Sequence, residues 1–135
     1  FDDSYFVPEV INDRVLPIGY RVYKDSLVKS LSSENKIIGN RLVKAHFLNQ
    51  EDYDFEMFFE DKKDVLGFKC FKIIANNNDG LRSKVMYVTE AIKLDYNPII
   101  NIKRFIGKYY VLELKDYYKN ELSTQYILNN IKYEN

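Results

Sequence analysis

Residues 53–60, with the sequence YDFEMFFE, alternate apolar and acidic side chains, and this alternation restricts the fold more than any other feature of the chain. Successive side chains of a β-strand point to opposite faces, so a period of two indicates a strand with one face on a core and one in water. Phe58 is the residue that breaks the pattern. Strands with one solvent-facing side are typical of antiparallel sheets, so the sequence predicts an antiparallel, mainly β domain.

Further strand patterns lie on both sides of this segment. Alternating or continuous apolar runs occupy residues 15–24, 42–48, 65–75, 83–94, 99–106 and 108–115. The link at residues 49–52 has the length of a hairpin loop, and Asp79-Gly80 predicts a type I′ hairpin turn. Gly67 marks a candidate bulge. Together these patterns predict about six or seven strands.

The end of the chain has a different period. Ser123 is a candidate N-cap, and four apolar residues after or beside it are spaced as one stripe of a helix: Leu122, Tyr126, Ile127 and Ile131. We therefore expect one C-terminal helix. Because the strands do not alternate with helices, the predicted class is mainly β (α+β), a small antiparallel barrel or sandwich with a terminal helix.

This order of a long sheet followed by one helix resembles the layout of pleckstrin-homology-type barrels and of oligonucleotide-binding barrels. The resemblance implies a closed or half-closed barrel that the last helix plugs or flanks. With 135 residues the chain is long enough for one domain with a core. We expect residues 1–14 to form an irregular docking arm and residues 15–135 to form a single β-rich domain.

Composition excludes some classes of protein and leaves others open. Twenty basic residues balance twenty acidic ones, which argues against a protein that binds polyanions over its whole surface. No apolar run is long enough for a membrane-spanning helix. Cys70 is the single cysteine and cannot form an internal disulfide. We expect an intracellular, reducing compartment, or a place within a larger assembly.

Residues 103–118, KRFIGKYYVLELKDYY, combine rings and cations. On a regular strand Tyr110, Leu112 and Leu114 share the core face, so Tyr109 faces solvent near several cations. Rings on a sheet face beside cations can stack nucleic-acid bases. The segment resembles the basic and aromatic strand motif of RNA-recognition domains. A single-stranded nucleic-acid-binding barrel is therefore one alternative, with the candidate contact residues Lys103, Arg104, Lys108, Tyr109 and Tyr96.

A second alternative is an enzyme. The step Glu113-x-Lys115 lies on an apolar strand, with Asp95 upstream. This arrangement resembles the PD-(D/E)xK nuclease superfamily. The resemblance implies that Asp95 and Glu113 bind Mg²⁺ and that Lys115 positions the attacking water. The same alternation also describes Glu113 and Lys115 as two ordinary solvent-facing residues, in which case no metal is involved.

Other chemistry is not indicated. The sequence has one histidine, no pair of cysteines, no phosphate-binding glycine loop and no nucleophile motif, so we expect neither a metal nor a cofactor. Five acids, Asp52, Asp54, Glu56, Glu60 and Asp61, surround the alternating segment. They are typical of a solvated face, or of charges that protect an exposed strand from unwanted pairing.

The leading prediction is a non-catalytic binding or assembly domain that acts through protein–protein contacts. Aromatic residues make up 16% of the chain, more than one core needs, and such an excess suits interfaces. Phe1, Tyr5 and Phe6 are the candidate partner contacts in the docking arm. The expected partner is another protein or a second copy of this chain. The chain begins at Phe1 rather than Met, so we expect a processed product or a segment of a longer protein.

Overall fold

A computed structural model describes residues 5–6, 9–12, 15–22, 27–33, 36–43, 47–94, 96–130 and 133–134, with side chains for residues 47–94 and 96–128. The strands in chain order are β1 Tyr5–Phe6, β2 Glu9–Asn12, β3 Val15–Val22, β4 Leu27–Ser33, β5 Lys36–Val43, β6 Tyr53–Val65, β7 Phe68–Asn77, β8 Arg82–Thr89, β9 Tyr110–Tyr118, β10 Glu121–Asn130 and β11 Tyr133–Glu134. Two short 3₁₀ turns, Gln50–Asp52 and Lys103–Phe105, precede β6 and β9.

These strands form one open antiparallel sheet. Its order is β11-β1-β3-β2-β10-β9-β8-β7-β6, with β4 paired to β3 and β5 to β4. The mainly β, antiparallel class is therefore confirmed. The expected closed barrel is not observed, since the described strands run in one sheet whose path ends at β11 and β6. Residues 1–14, expected to be irregular, contribute the strands β1 and β2.

The C-terminal helix prediction is wrong, because residues 121–130 form β10. Lys119 and Asn120 have φ values of 50° and 65°, as a two-residue type I′ turn requires, and this turn returns the chain alongside β9. Leu122, a member of the predicted helix stripe, is 47% exposed, whereas Leu128 is buried. Ser123 is not an N-cap: its hydroxyl donates to the carbonyl of Asp116 across the hairpin, at 3.3 Å.

Two other tight turns organise the sheet. Leu66 and Gly67, with φ values of 53° and 82°, form the type I′ turn between β6 and β7, where the sequence predicted a bulge. The hairpin predicted at Asp79-Gly80 is present between β7 and β8. A type I′ turn needs positive φ at both central residues. Within residues 77–81 only Gly80 has a positive φ, so the turn has a different geometry. The Asp79 carboxylate accepts from the backbone N–H groups of Leu81 and Arg82.

A bulge in β9 changes which residues share a face. Tyr87 pairs with Glu113 and Val88 pairs with Val111, so Leu112 is an extra residue. Val111 and Leu114 therefore pack in one cluster and Leu112 in another, which corrects the expectation that Leu112 and Leu114 share a face.

The core lies on both faces of strands β6–β10. The first cluster contains the buried residues Phe71, Ile73, Ala75, Met86, Val88, Ile102, Phe105, Val111 and Leu114. The second contains Val65, Cys70, Ile92, Tyr110, Leu112 and Leu128. The connection between β8 and β9, residues 90–109, supplies members of both clusters, so it is a core element rather than a surface loop.

Two buried asparagines hold this connection in place. The Asn97 side chain donates to the carbonyl of Val111 at 2.8 Å and accepts from the N–H of Ile99 at 2.8 Å. The Asn101 side chain donates to the carbonyl of Asn97 and accepts from its N–H. Buried polar groups need such partners, so this pair fixes the path of the connection over the sheet.

The two described 3₁₀ turns are three residues each, and no helix among the described residues is long and apolar enough to cross a membrane.

Candidate functional site

The strand β6 is one end of the sheet, and this makes its outer edge the first candidate for a contact surface. It is 13 residues long and pairs with β7 along one edge. Among the described strands none pairs with its other edge. Alternate backbone N–H and C=O groups of an edge strand point away from the sheet, and they can accept a further strand.

A bulge divides this edge into two parts. Phe58 pairs with Lys72 and Lys62 pairs with Phe71, so residues 59–61 have no partner in the register. Two rings are exposed at the bulge: Phe59, within it, is 51% exposed, and Phe58, the last paired residue before it, is 38% exposed. Both are anchored from the sheet: the Phe59 ring lies 4.8 Å from that of Phe71, and the Lys72 ammonium lies 5.7 Å from the centre of the Phe58 ring. Anchored rings lose little conformational freedom on binding, which favours an interface.

The part of the edge before the bulge is acidic. Residues 49–60 carry five acids and no basic residue, and all five acids are exposed: Glu51, Asp52, Asp54, Glu56 and Glu60. Four of the five acids that the sequence predicted as a solvated face, Asp52, Asp54, Glu56 and Glu60, are exposed here. The fifth, Asp61, is half-buried and pairs with Lys72. Together the outer edge of β6, the five exposed acids and the rings of Phe58 and Phe59 form what we call the β6 edge.

Beside the bulge a polar network crosses the sheet. The Asp61 carboxylate lies 2.8 Å from the Lys72 ammonium and accepts a hydrogen bond from the Tyr87 hydroxyl at 3.2 Å. The hydrogen bond from Lys72 holds the pKa of Asp61 below its usual value, and the same bond raises the pKa of Lys72. Burial, followed by the bond to Asp61, raises the pKa of Tyr87. The network pins the bulge to β7 and β8.

Glu113, a residue of the nuclease alternative, lies next to the same network. The Lys63 ammonium lies 2.6 Å from a Glu113 carboxylate oxygen and 4.9 Å from the centre of the Tyr87 ring. Lys115 is half-buried two residues further along β9. Asp95 lies outside the described residues. In the part of the chain that the structure describes, no three His, Cys, Asp or Glu side chains come together as a metal site. The geometry thus shows Glu113 as the partner of a lysine.

The residues of the nucleic-acid alternative lie at the connection between β8 and β9. Tyr109 is half-buried, and its ring packs edge to face against Phe71 at 5.4 Å and Phe105 at 5.5 Å. Tyr96 is also half-buried, and its carbonyl accepts from the Tyr110 hydroxyl. Tyr109 was predicted to face solvent, but both faces of β9 are covered, and its ring packs against the first cluster.

The three cations of that alternative are exposed. Arg104 lies over the Phe55 ring at 5.1 Å, and its backbone N–H donates to the side chain of Gln50. The carbonyl of Lys108 accepts from the Lys93 ammonium. Lys103 begins the second 3₁₀ turn. The cations therefore surround a packed aromatic cluster rather than a free ring.

The predicted partner contacts of the docking arm are only partly described. Phe1 lies outside the described residues. Tyr5 and Phe6 form β1, which pairs with β11 and with β3. Their side chains lie outside the described part of the structure, so their role as contacts stays a prediction.

The structure also contains a cleft that the sequence did not indicate. It has a volume of about 200 Å³ and lies where the turn between β7 and β8 meets the turn between β9 and β10. The backbone N–H of Lys119 donates to the carbonyl of Leu81 at 2.8 Å and joins the two turns. Tyr53, Arg82, Lys84, Asp116, Tyr117 and Tyr118 line this cleft. Cross-strand register brings these residues together, and register is not visible in one sequence.

Comparisons with known proteins add no function. No family model matches the sequence, and no curated protein matches it. Among solved structures the chain is similar to a DUF1329 family protein from Desulfovibrio piger ATCC 29098, with 13% identity over 98% of this chain and 85% of that one. The TM-score of this similarity is 0.27.

Proposed function

We propose that this chain is a non-catalytic binding domain that acts through protein–protein contacts at the β6 edge. The observation that carries the proposal is the bulge in the terminal strand, where Phe58 and Phe59 are exposed beside unpaired backbone groups. Strand addition to a sheet edge takes its affinity from main-chain hydrogen bonds and its specificity from side-chain positions. The β6 edge has both features.

The charge of the edge specifies its partner. Four exposed acids precede the bulge and Glu60 lies within it, so we infer an extended segment of another protein in which basic and apolar residues alternate. A second copy of this chain is disfavoured at this edge. Two copies would bring carboxylates together, and each close pair of like charges costs about 1 kcal/mol in water. The domain therefore selects a basic strand and resists pairing with itself.

The experiment uses synthetic peptides as probes and amide hydrogen exchange as the measurement. An octapeptide of alternating Lys and Val is compared with its Glu and Val counterpart. We expect the lysine peptide to slow exchange in residues 53–58 and the glutamate peptide to leave it unchanged. The effect falls as salt rises, because exposed charges are screened over about 8 Å at physiological ionic strength.

A charge reversal provides the matched control. The double variant D54K/E56K changes two exposed side chains, so its fold is retained. We expect the variant to lose binding to the lysine peptide and to gain binding to the glutamate peptide. Protection that appears away from β6, or that is the same for both peptides, would contradict the proposal. A stable homodimer that buries β6, detected by light scattering, would contradict it as well.

A further inference from the structure

We propose that the cleft at the paired turns is a binding site for a small organic anion, a carboxylate or phosphate monoester attached to a ring. This site is separate from the β6 edge in its chemistry, and the inference does not depend on the proposed function. The cleft is lined by two cations, one carboxylate, three tyrosines and two serines, whereas the β6 edge presents acids and phenylalanines.

The register of β8 and β9 builds the cleft. Arg82 is opposite Tyr118 and Lys84 is opposite Asp116. The two cations therefore follow one strand, at spacing two, and lie on the same face. Tyr53, the first residue of β6, completes the lining. The cross-strand pairs are held by the two joined turns, so the lining is part of the rigid sheet.

The charges of the lining favour an anion. The Lys84 ammonium lies 2.5 Å from the Asp116 carboxylate, and the two neutralise each other. Arg82 forms only a long ion pair with Asp79, 3.7 Å from Nε, and its side chain is 64% exposed, so its guanidinium can take a second anionic partner. A guanidinium has five N–H donors, and at 3.7 Å the Asp79 carboxylate is too far from Nε for a hydrogen bond. The donors on its two terminal nitrogens suit a carboxylate or a phosphate.

The tyrosines favour a ring on the ligand. Tyr118 is 44% exposed, and the Lys119 ammonium lies 5.5 Å from the centre of its ring. A ring held in this way offers a flat, partly apolar surface with a hydroxyl at its rim. The volume of about 200 Å³ is below the roughly 300–1,000 Å³ of sites for drug-sized ligands. The site therefore fits one ring with one anionic group.

The test titrates the full chain with phenyl phosphate, benzoate, phenol and inorganic phosphate, and follows ¹⁵N-labelled amides by NMR. We expect phenyl phosphate or benzoate to bind with a Kd on the order of 1 mM, and the shifted amides to centre on residues 82–84 and 116–118. The tighter of the two identifies the anionic group. Inorganic phosphate or phenol binding as tightly as both of them would overturn the proposal, since the site would not require both parts of the ligand.

Two variants and one control locate the site. Arg82→Gln should weaken binding about tenfold or more, because hydrogen bonds to charged groups contribute more than neutral ones. Tyr118→Ala should weaken it as well. Arg104→Gln replaces another exposed arginine, one that does not line the cleft, and should leave the affinity unchanged. No saturable shift, or equal affinity in the Arg82→Gln variant, would overturn the proposal.

Discussion

The Lys63 ammonium contacts the Glu113 carboxylate at 2.6 Å, although β7 and β8 lie between the strands that carry them. Three spacings of about 4.8 Å separate such strands by about 14 Å in a flat sheet, where side chains that stand upright on the face would not meet. The sheet must therefore curve toward this face. The second cluster agrees, because it joins Val65 of β6 to Leu128 of β10.

This ion pair gives the first prediction. The Glu113 side chain is 14% exposed, so removing it should cost more than at the solvent-facing position that the sequence suggested. We expect Glu113→Ala to destabilise the domain by about 1 kcal/mol, and the double-mutant cycle with Lys63→Ala to give a coupling of about 0.3–1 kcal/mol. Urea unfolding measures both values. The exposed Lys62 supplies the control, and Lys62→Ala should change stability by less than about 0.5 kcal/mol. A coupling of zero would contradict the contact.

The second prediction concerns pH. The pKa of Asp61 is lowered and that of Lys72 is raised by their mutual hydrogen bond. Their contribution to stability is therefore fully present between about pH 4 and about pH 10.4, the usual pKa values of the two groups. It is lost as pH falls through the lowered pKa of Asp61, and as pH rises through the raised pKa of Lys72.

Carboxyl ¹³C shifts of Asp61 measure this directly. We expect the titration midpoint of Asp61 to move to higher pH in the Lys72→Gln variant, because the hydrogen bond from the Lys72 ammonium, the main cause of the lowered pKa, is removed. An unchanged midpoint would show that Lys72 does not make the bond.

The third prediction concerns the thiol of Cys70. It is 2% exposed, and burial, with Glu113 as the next cause, raises its pKa to about 11. The reactive thiolate is therefore scarce at pH 8, and the buried sulfur is shielded. We expect alkylation by iodoacetamide to be at least about a hundredfold slower in the folded chain than in 6 M guanidinium chloride. Rapid modification without denaturant would contradict the packing of the second cluster.

The fourth prediction concerns the turn between β9 and β10. Lys119 and Asn120 both have positive φ, which is costly for residues with a Cβ. Replacing them by Asn-Gly should stabilise the hairpin by about 0.5–1 kcal/mol, since this dipeptide prefers a type I′ turn. The predicted helix would begin after Ser123, so the same change would lie outside it and leave its stability nearly unchanged. Thermal unfolding therefore tests the hairpin: a raised melting temperature supports the type I′ turn, and an unchanged or lowered one would contradict it.

Much of the sheet could be predicted from the sequence because its signals are local. The alternation at residues 53–60 lies within β6, and Asp79-Gly80 does mark the turn of the next hairpin. The strand β10 was missed because its turn contains no glycine and its apolar spacing also suits a helix. The bulge at Leu112 placed Leu114 on the face opposite Leu112, whereas a regular strand would put both on one face. The cleft and the Lys63–Glu113 pair depend on cross-strand register, which one sequence does not encode locally.

The fifth prediction tests the connection between β8 and β9. The buried Tyr110 hydroxyl donates to the carbonyl of Tyr96 at 2.9 Å, and burial raises the pKa of Tyr110. Tyr110→Phe leaves that carbonyl without this donor, so we expect a loss of about 1 kcal/mol in urea unfolding. Tyr118→Phe changes an exposed ring and should be nearly neutral. Equal effects of the two variants would argue against the hydrogen bond.

The connection at residues 90–109 supplies side chains to both clusters, and this determines how the domain unfolds. Most long connections open locally while their sheet persists. Here local opening would remove Ile92 from one cluster and Ile102 and Phe105 from the other. A protease should therefore cut this segment only when the whole domain unfolds, and a single cut would leave two fragments that cannot each keep a core.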